Sequence, residues 1–344
     1  MKFTSVTIKD IAQALNLSTS TVSRALRDSY EISEETKKIV TDYAKSVNYR
    51  PNPSALNLKE RRSHTIGIIV AEIANSFFSQ IINGIESVAQ QHGYNVIITQ
   101  AFENYEKEVE ALYNLAQSVD GMLISLGAET KNPEHIHSLY EKGMPIVFFD
   151  RVDESLKAHK VISNNYKGTF DATSYLLDNG YKRIALIGHE ANLSITHERK
   201  SGYTDALKSH HIEPAEKYMK FCAHGGLVFK EVEDALNQLL KLKPRPDAIL
   251  SCADKITTSS LRILQQEKNI RIPDDIALIG FSNLELTDLI TPPLSVIKQD
   301  AHAMGAKAAE LLIKQIESKR PVIDFELISL DPVLHIRNST QKKK

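Results

Sequence analysis

The sequence predicts an α/β protein in three parts: an N-terminal three-helix headpiece with a helix-turn-helix, a short hinge, and two doubly wound parallel-sheet lobes. Three observations carry this. Residues 7–47 hold three runs in which apolar side chains recur at helical spacing, each opened by a threonine or serine suited to cap a helix. From residue 65 onward, short apolar runs alternate with amphipathic segments, the pattern of buried parallel strands joined by crossover helices. Charge changes at the same boundary: residues 1–62 hold 11 Lys+Arg against 7 Asp+Glu, a net of +4, and the remainder 31 against 36, a net of −5.

In the stretch TIKDIAQALNLSTSTVSRAL, residues 7–26, Thr7 caps a first helix with Asp10 at its third position, and Ile8, Ile11, Ala12 and Leu15 share one face. Asn16-Leu17 breaks the pattern. Ser18 then caps a second helix whose Val22, Ala25 and Leu26 face inward, while Thr19, Ser20, Ser23, Arg24 and Arg27 form a small, polar, basic outer face. Such a helix, joined to its predecessor by a tight turn, suits the major groove of double-stranded DNA. Ser33 caps a third helix, with Glu34 and Glu35 at its positive end and Ile39, Val40, Tyr43, Ala44 and Val47 closing a mini-core. Any small three-helix bundle also fits this pattern. In residues 50–62, Asn52 as cap and Pro53 at the first helical position start a short helix with Ala55, Leu58 and Lys59 on one side; a passive tether is the alternative.

In the remainder, strands are expected at 66–70, 96–99, 121–125 and 146–149, alternating with helices at 78–91, 106–117 and 134–142. A second series follows: helix 168–177, strand 183–187, helix 199–209, strand 219–222, helix 229–240, strand 248–251, helix 257–267, strand 277–280 and helix 301–317. Two facing lobes make a cleft at the carboxyl ends of their strands, where ligands of such sheets bind.

At 344 residues, 42% hydrophobic and 25% charged, the composition is that of an ordinary globular protein of two or three domains. No apolar run is long enough to span a bilayer and MKFTSVTIKD is no signal peptide, so a cytoplasmic location is expected. Cys222 and Cys252 read as buried reduced thiols; no metal-ligand spacing and no cofactor motif is present, and GxxxxGK[ST], HExxH and GxSxG are absent. An enzyme is not expected. His189-Glu190 and His197-Glu198 are isolated pairs.

TIKDIAQALNLSTSTVSRAL, then ISEETKKIV, then YRPNPSALNLK resemble, in order, the DNA-binding headpiece of the LacI/GalR family of transcriptional regulators. The resemblance continues through VDGMLI, FFDRV, NNYKG, GYKRIALIG, RKSGY, IPDDIALIGFSN and TPPLSVIKQD, and implies a regulatory core similar to periplasmic sugar-binding proteins. It implies a headpiece at 1–49, a hinge at 50–62, a first lobe at 63–178 and 300–326, and a second at 179–299 and 327–340, with crossings near Asp178, Gln299 and Leu327. It also implies base readout by Thr19, Ser20, Ser23 and Arg24, and a hinge in which Ala55, Leu58 and Lys59 contact the minor groove, Leu58 wedging between base steps.

For the cleft the resemblance implies effector contacts at Phe77 and Phe78, which can stack on a ring, at Arg199, and at Asp254 and Asn164; the last two can equally cap their helices. Ser163 and Ser282 stand where many members carry aspartate, which removes carboxylates and points toward a larger, acidic or phosphorylated ligand. The expected function is a sequence-specific regulator, most simply a repressor: a homodimer that reads a palindromic operator and binds a small sugar-like effector. It has no coiled-coil tail after the last strand. A plain solute-binding protein of the same cleft fold is the alternative, and it needs export.

Overall fold

The structure is a computed structural model that describes residues 6–49, 62–190 and 192–341. It divides into two compact units, Met1–Ser63 and His64–Lys344. The hinge residues Ala55, Leu58 and Lys59 lie outside the described residues.

In the first unit α1 (Ile8–Ala14), α2 (Thr19–Ala25) and α3 (Glu34–Ser46) follow the cap signals. Thr7 and Asp10 form a capping box, with the Thr7 amide donating to Asp10 Oδ2 at 2.7 Å. The Ser18 and Ser33 hydroxyls accept the amides of Thr21 and Thr36. Each cap satisfies backbone donors that α1 and α2, at two turns, have few other ways to use. Asn16, at φ +50°, makes the turn between them. Ile11, Ala12, Val22, Ala25, Val40 and Ala44 form the buried core. Ile39, expected inside, is 49% exposed: Val40 and Ala44, one turn apart, set the inward stripe of α3 and turn Ile39 away.

The second unit holds two six-stranded sheets. The first contains β1 (Thr65–Val70), β2 (Asn95–Gln100), β3 (Gly121–Ile124), β4 (Ile146–Phe149), β5 (His159–Ser163) and β11 (Leu327–Leu330), in the order β11-β5-β4-β3-β1-β2, all parallel. The second contains β6 (Ile184–Gly188), β7 (Met219–Phe221), β8 (Ala248–Ser251), β9 (Ala277–Phe281), β10 (Ser295–Lys298) and β12 (Val333–His335), in the order β12-β10-β9-β8-β6-β7, with only β12 antiparallel. In each the direction of winding reverses next to the first strand, which leaves a crevice at the strand ends.

Helices cover both faces. In the first lobe these are α4 (Ser76–Gln91), α5 (Tyr105–Ala116), α6 (Glu134–Glu141) and α11 (Ala301–Glu317). The second lobe has α7 (Asn165–Asp178), α8 (Ser194–Ser209), α9 (Phe229–Leu240) and α10 (Asp254–Arg262). α4 and α11 cross at backbone contact. A Cβ on Gly84 would stand 2.1 Å from the His302 carbonyl oxygen, and one on Gly305 would stand 2.0 Å from that of Ile81. Only glycine permits this approach.

Two expected crossings move. The first is at Asn164, not near Asp178, because Ala172 and Leu176 of α7 are buried in the second lobe's core. The third lies between Leu330 and Val333, not near Leu327, because β11 pairs with β5 in the first sheet. Between Lys298 and Ala301 the chain returns to the first lobe, where Met304, Ala308 and Leu312 enter its core. The Asn164 side-chain amide donates to Asp331 at 2.9 Å and so ties the first crossing to the third.

Candidate functional site

On α2, Thr19, Ser20 and Arg24 are exposed and Ser23 is half-buried. Val22 and Ala25 anchor the opposite side in the core, so the outer face is held rigidly. Arg24 pairs with Glu31 at 3.1 Å, while Arg27 reaches back to the Ser23 hydroxyl at 2.7 Å. Both guanidiniums are exposed, so water screens these contacts and leaves them available to another acceptor.

Between the lobes of the second unit lies a cavity of about 420 Å³, counted to its open mouth. Five of the seven expected cleft residues line it: Phe77, Phe78, Arg199, Asp254 and Ser282. Phe77 and Phe78 open α4, their ring centroids 5.4 Å apart, and both are buried. Arg199 stacks on Phe281, with its guanidinium carbon 3.9 Å from the ring centroid. Its Nε donates to Asn165 Oδ1 at 2.9 Å, and its Nη1 to the Cys252 carbonyl. Buried stacking of this kind contributes about 2 kcal/mol and fixes the guanidinium plane. Burial pulls the pKa of Arg199 down.

Ser163 and Asn164 do not line the cavity. Asn164 spends its Oδ1 capping α7 and its amide on Asp331, so the capping alternative describes it. The contact with Arg199 falls one residue later: Asn165, itself outside the cavity lining, donates to Glu198 at 2.9 Å and accepts from Arg199, which positions the arginine. The Ser282 hydroxyl donates to the Asp254 carboxylate at the cavity wall. The backbone amides of Ser76 and Asn283, one from each lobe, lie toward Asp254 and act to lower its pKa. Burial raises its pKa, against the pull of Ser282 and Lys255. The cavity therefore keeps two carboxylates, Asp150 and Asp254.

Asp150 and Arg151, within the FFDRV run, were not among the expected site residues; the signal was their place at the carboxyl end of a buried strand. Asp150 sits at φ +59° and is fully buried, and burial raises its pKa. Its Oδ1 has no hydrogen-bond partner, and neither do the buried Arg151 Nε and Gln299 Nε2. Arg151 Nη1 donates to Glu103 Oε2 at 2.6 Å. Burial alone would push the Glu103 carboxyl up; Arg151 and His189 overcome this and hold it well below the usual carboxylate range. His189 Nδ1 accepts the Glu190 amide, and its Nε2 lies 3.1 Å from Arg151 Nη2 and, across the cleft, 3.4 Å from Glu103 Oε1. Burial, then Arg151, lowers the His189 pKa, against the pull of Glu103.

Further contacts join the lobes. Gln80 and Asn283 exchange two hydrogen bonds at 3.0 and 2.7 Å, Glu72 pairs with Lys255 at 3.3 Å, and Ala128 packs on Leu193 and Ile195. The lobes are closed on one another. Among the described residues no cluster of His, Cys, Asp and Glu is arranged to hold a metal, and no helix is long and apolar enough to cross a membrane. Cys222 and Cys252 are buried and unpaired, their thiols pushed up to about 12 by burial.

A capped helix-turn-helix ahead of two lobes closed over a ring-lined, polar cavity defines a ligand-responsive regulator of DNA. Residues 7–52 match the family of bacterial regulatory proteins called lacI, and residues 63–336 match the periplasmic binding proteins and sugar binding domain of the LacI family. The chain belongs to the LacI family and is a DNA-binding transcriptional regulator. It is similar to the HTH-type transcriptional repressor CytR of Escherichia coli (strain K12), 33% identical over 340 residues, 98% of this chain and 97% of CytR. It is also similar to the HTH-type transcriptional repressor PurR of Vibrio atlanticus (strain LGP32), 33% identical over 316 residues, 91% and 92% of the two chains. The solved Lac repressor dimer bound to operator and the anti-inducer ONPF shares the fold, with a TM-score of 0.80 at 24% identity over 98% of this chain and 100% of that one.

Proposed function

We propose that the protein is a cytoplasmic repressor without catalytic activity. As a homodimer it binds a palindromic operator and changes its hold on DNA when a small sugar or sugar derivative occupies the interlobe cavity. Thr19, Ser20, Ser23 and Arg24 read base edges in the major groove, with Arg24 exchanging Glu31 for guanine or phosphate. Ala55, Leu58 and Lys59 serve the minor groove, Leu58 as a wedge. Phe77, Phe78, Arg199, Asp254, Asp150, Arg151 and Gln299 hold the effector.

The observation that carries the effector reading is the trio of buried, unsatisfied polar atoms on cavity residues: Asp150 Oδ1, Arg151 Nε and Gln299 Nε2. Orphaned buried groups cost free energy, and a hydroxyl-rich ligand, both donor and acceptor, satisfies all three. The open-edge strands β2 and β7 carry exposed Ile97 and Phe221, which supports pairing with a second copy. Effector binding shifts the closure of the lobes, moves the two hinges of the dimer relative to each other, and so alters their fit to DNA.

The test is thermal melting of the full-length protein against sugars, sugar acids and sugar phosphates, with Arg199→Ala as control. A ligand at about 100 times its Kd adds roughly 2.7 kcal/mol, a shift of several degrees. The reading expects a hit that changes operator binding and is lost in Arg199→Ala. A hit that leaves operator binding untouched contradicts it and favours a plain solute-binding protein.

A further inference from the structure

His189 carries the second lobe into a buried ion pair of the first. Glu103, at φ +61° after β2, accepts from Arg151 Nη1 at 2.6 Å and from the Ala128 amide at 2.8 Å. It thereby ties the end of β4 to the loop that packs on Leu193 and Ile195. The His189 ring closes this corner from across the cleft, its Nε2 3.1 Å from Arg151 Nη2 and 3.4 Å from Glu103 Oε1. Gly225, at φ +58°, lies flat on the ring, and a Cβ there would stand 1.9 Å from Nε2. The ring is 2% exposed, so water does not reach it while the lobes are closed.

Both ring nitrogens meet donors. Nδ1 faces the Glu190 amide at 2.7 Å and Nε2 faces the Arg151 guanidinium. An imidazolium has two N–H groups and no lone pair, so a second proton sets N–H against N–H at the Glu190 amide. It also sets a cation against a guanidinium in a dry site. The charged groups around the ring are Glu103 after β2, Arg151 after β4 and Arg199 in α8. Burial, Arg151 and Arg199 act against the charged ring and outweigh Glu103. Nearby charges are already paired: His224, next to Gly225, holds Glu231 at 2.7 Å, and Glu72 holds Lys255 at 3.3 Å. In an open cleft the ring meets water and titrates at its ordinary value of about 6.5. Protons therefore bind the open form more tightly than the closed one. The advantage of closure is complete above about pH 6.5 and is lost as pH falls below it.

We propose that His189 is a proton-sensitive latch on the cleft: neutral, it seals the lobes over the Glu103–Arg151 pair, and charged, it drives them apart. A ligand that needs the closed cleft is then held less tightly in acid, and acidification and effector act on the same motion. That link to the effector rests on the interlobe cavity being the effector site; the latch itself is a property of the unliganded protein.

The experiment places nitroxides on Lys131→Cys and Asn192→Cys in the full-length protein without ligand. Both residues are exposed and stand beside the contact of Ala128 with Leu193, while Cys222 and Cys252 are buried and stay unlabelled. Dipolar coupling between the labels gives the ratio of closed to open cleft from about pH 7.5 to about pH 5.5. One proton taken up on opening lowers that ratio by up to about tenfold over this range. In His189→Gln, which has no charge to gain, the ratio stays within about twofold. Asp254, the other titratable group set between the lobes, is intact in that variant, so a fall that persists there belongs to the carboxylate. A wild-type ratio that changes by less than about twofold, or an equal fall in His189→Gln, overturns the latch. The effector reading fails differently: the closed fraction follows pH while a bound ligand survives Arg199→Ala or leaves operator binding unchanged.

Discussion

Glu103→Gln removes the negative member of a buried ion pair while keeping its shape and one acceptor oxygen. Glu103 is 3% exposed and Arg151 6%, so the guanidinium loses its nearest counter-charge where water cannot replace it and keeps only the more distant Asp150 Oδ2 at 3.8 Å from its Nε. Breaking one side of such a pair costs about 3–5 kcal/mol. At roughly 2–4 °C per kcal/mol for a protein of this size, the melting temperature of the unliganded protein falls by about 6–20 °C. The acid limb gives an independent check. Because the folded pKa of Glu103 is depressed, its contribution is complete above the ordinary value of 4.5 and is lost as pH falls through the folded value. The gap between wild type and Glu103→Gln is therefore constant at neutral pH and narrows in acid. Glu103→Gln with Arg151→Met, which removes both charges, recovers most of the loss. Differential scanning fluorimetry against pH reads all three. A single variant melting within about 2 °C of wild type, or a double variant no better than the single, refutes the assignment of a stabilising buried pair at this site.

Three further outcomes are expected. Arg24→Ala lowers affinity for the selected operator by about 10- to 100-fold in a fluorescence anisotropy titration, with no change in melting temperature, since the side chain is exposed and its bridge to Glu31 is a surface pair. Asn165→Ala frees Arg199 Nε from its anchor and weakens effector binding by about tenfold in isothermal titration, while operator affinity without effector stays at the wild-type value. Gly84→Ala forces α4 from α11, because a Cβ would lie 2.1 Å from a backbone oxygen; urea unfolding should show a loss of about 1–3 kcal/mol, against little change for Gly93→Ala beyond its backbone strain, where the Cβ meets open space.

The headpiece was legible because its signals are local. Thr7, Ser18 and Ser33 sit three residues from the amides they cap, and the apolar period alone names Ile11, Val22 and Val40 as core. Ile39 was counted in the core beside Val40, on a helix whose inward stripe is too narrow for both. In the lobes, long apolar runs such as those at β1, β4 and β9 announced themselves, whereas β5, with alternating buried and half-buried residues, was missed. The crossing points depend on which sheet a strand joins, and no local period records that for β11 or for the buried face of α7.

The cavity shows the same division. Phe77, Phe78, Arg199, Asp254 and Ser282 were found through wording, but the Glu103–Arg151–His189 contact joins residues far apart in sequence and from both lobes. The one-residue error between Asn164 and Asn165 has a plain origin. Both are asparagines at the start of α7, and only the path of the chain decides which caps the helix and which faces Arg199.

Operator selection tests the account most directly. Full-length protein is incubated with random duplexes, bound DNA is recovered over several rounds, and the same is done after removal of residues 1–62 and with the ligand found by melting. The account predicts enrichment of one palindromic site, loss of that enrichment without residues 1–62, and a shift in its affinity when ligand is present but not in Arg199→Ala. Failure to enrich any palindrome, with binding that does not depend on residues 1–62, contradicts it.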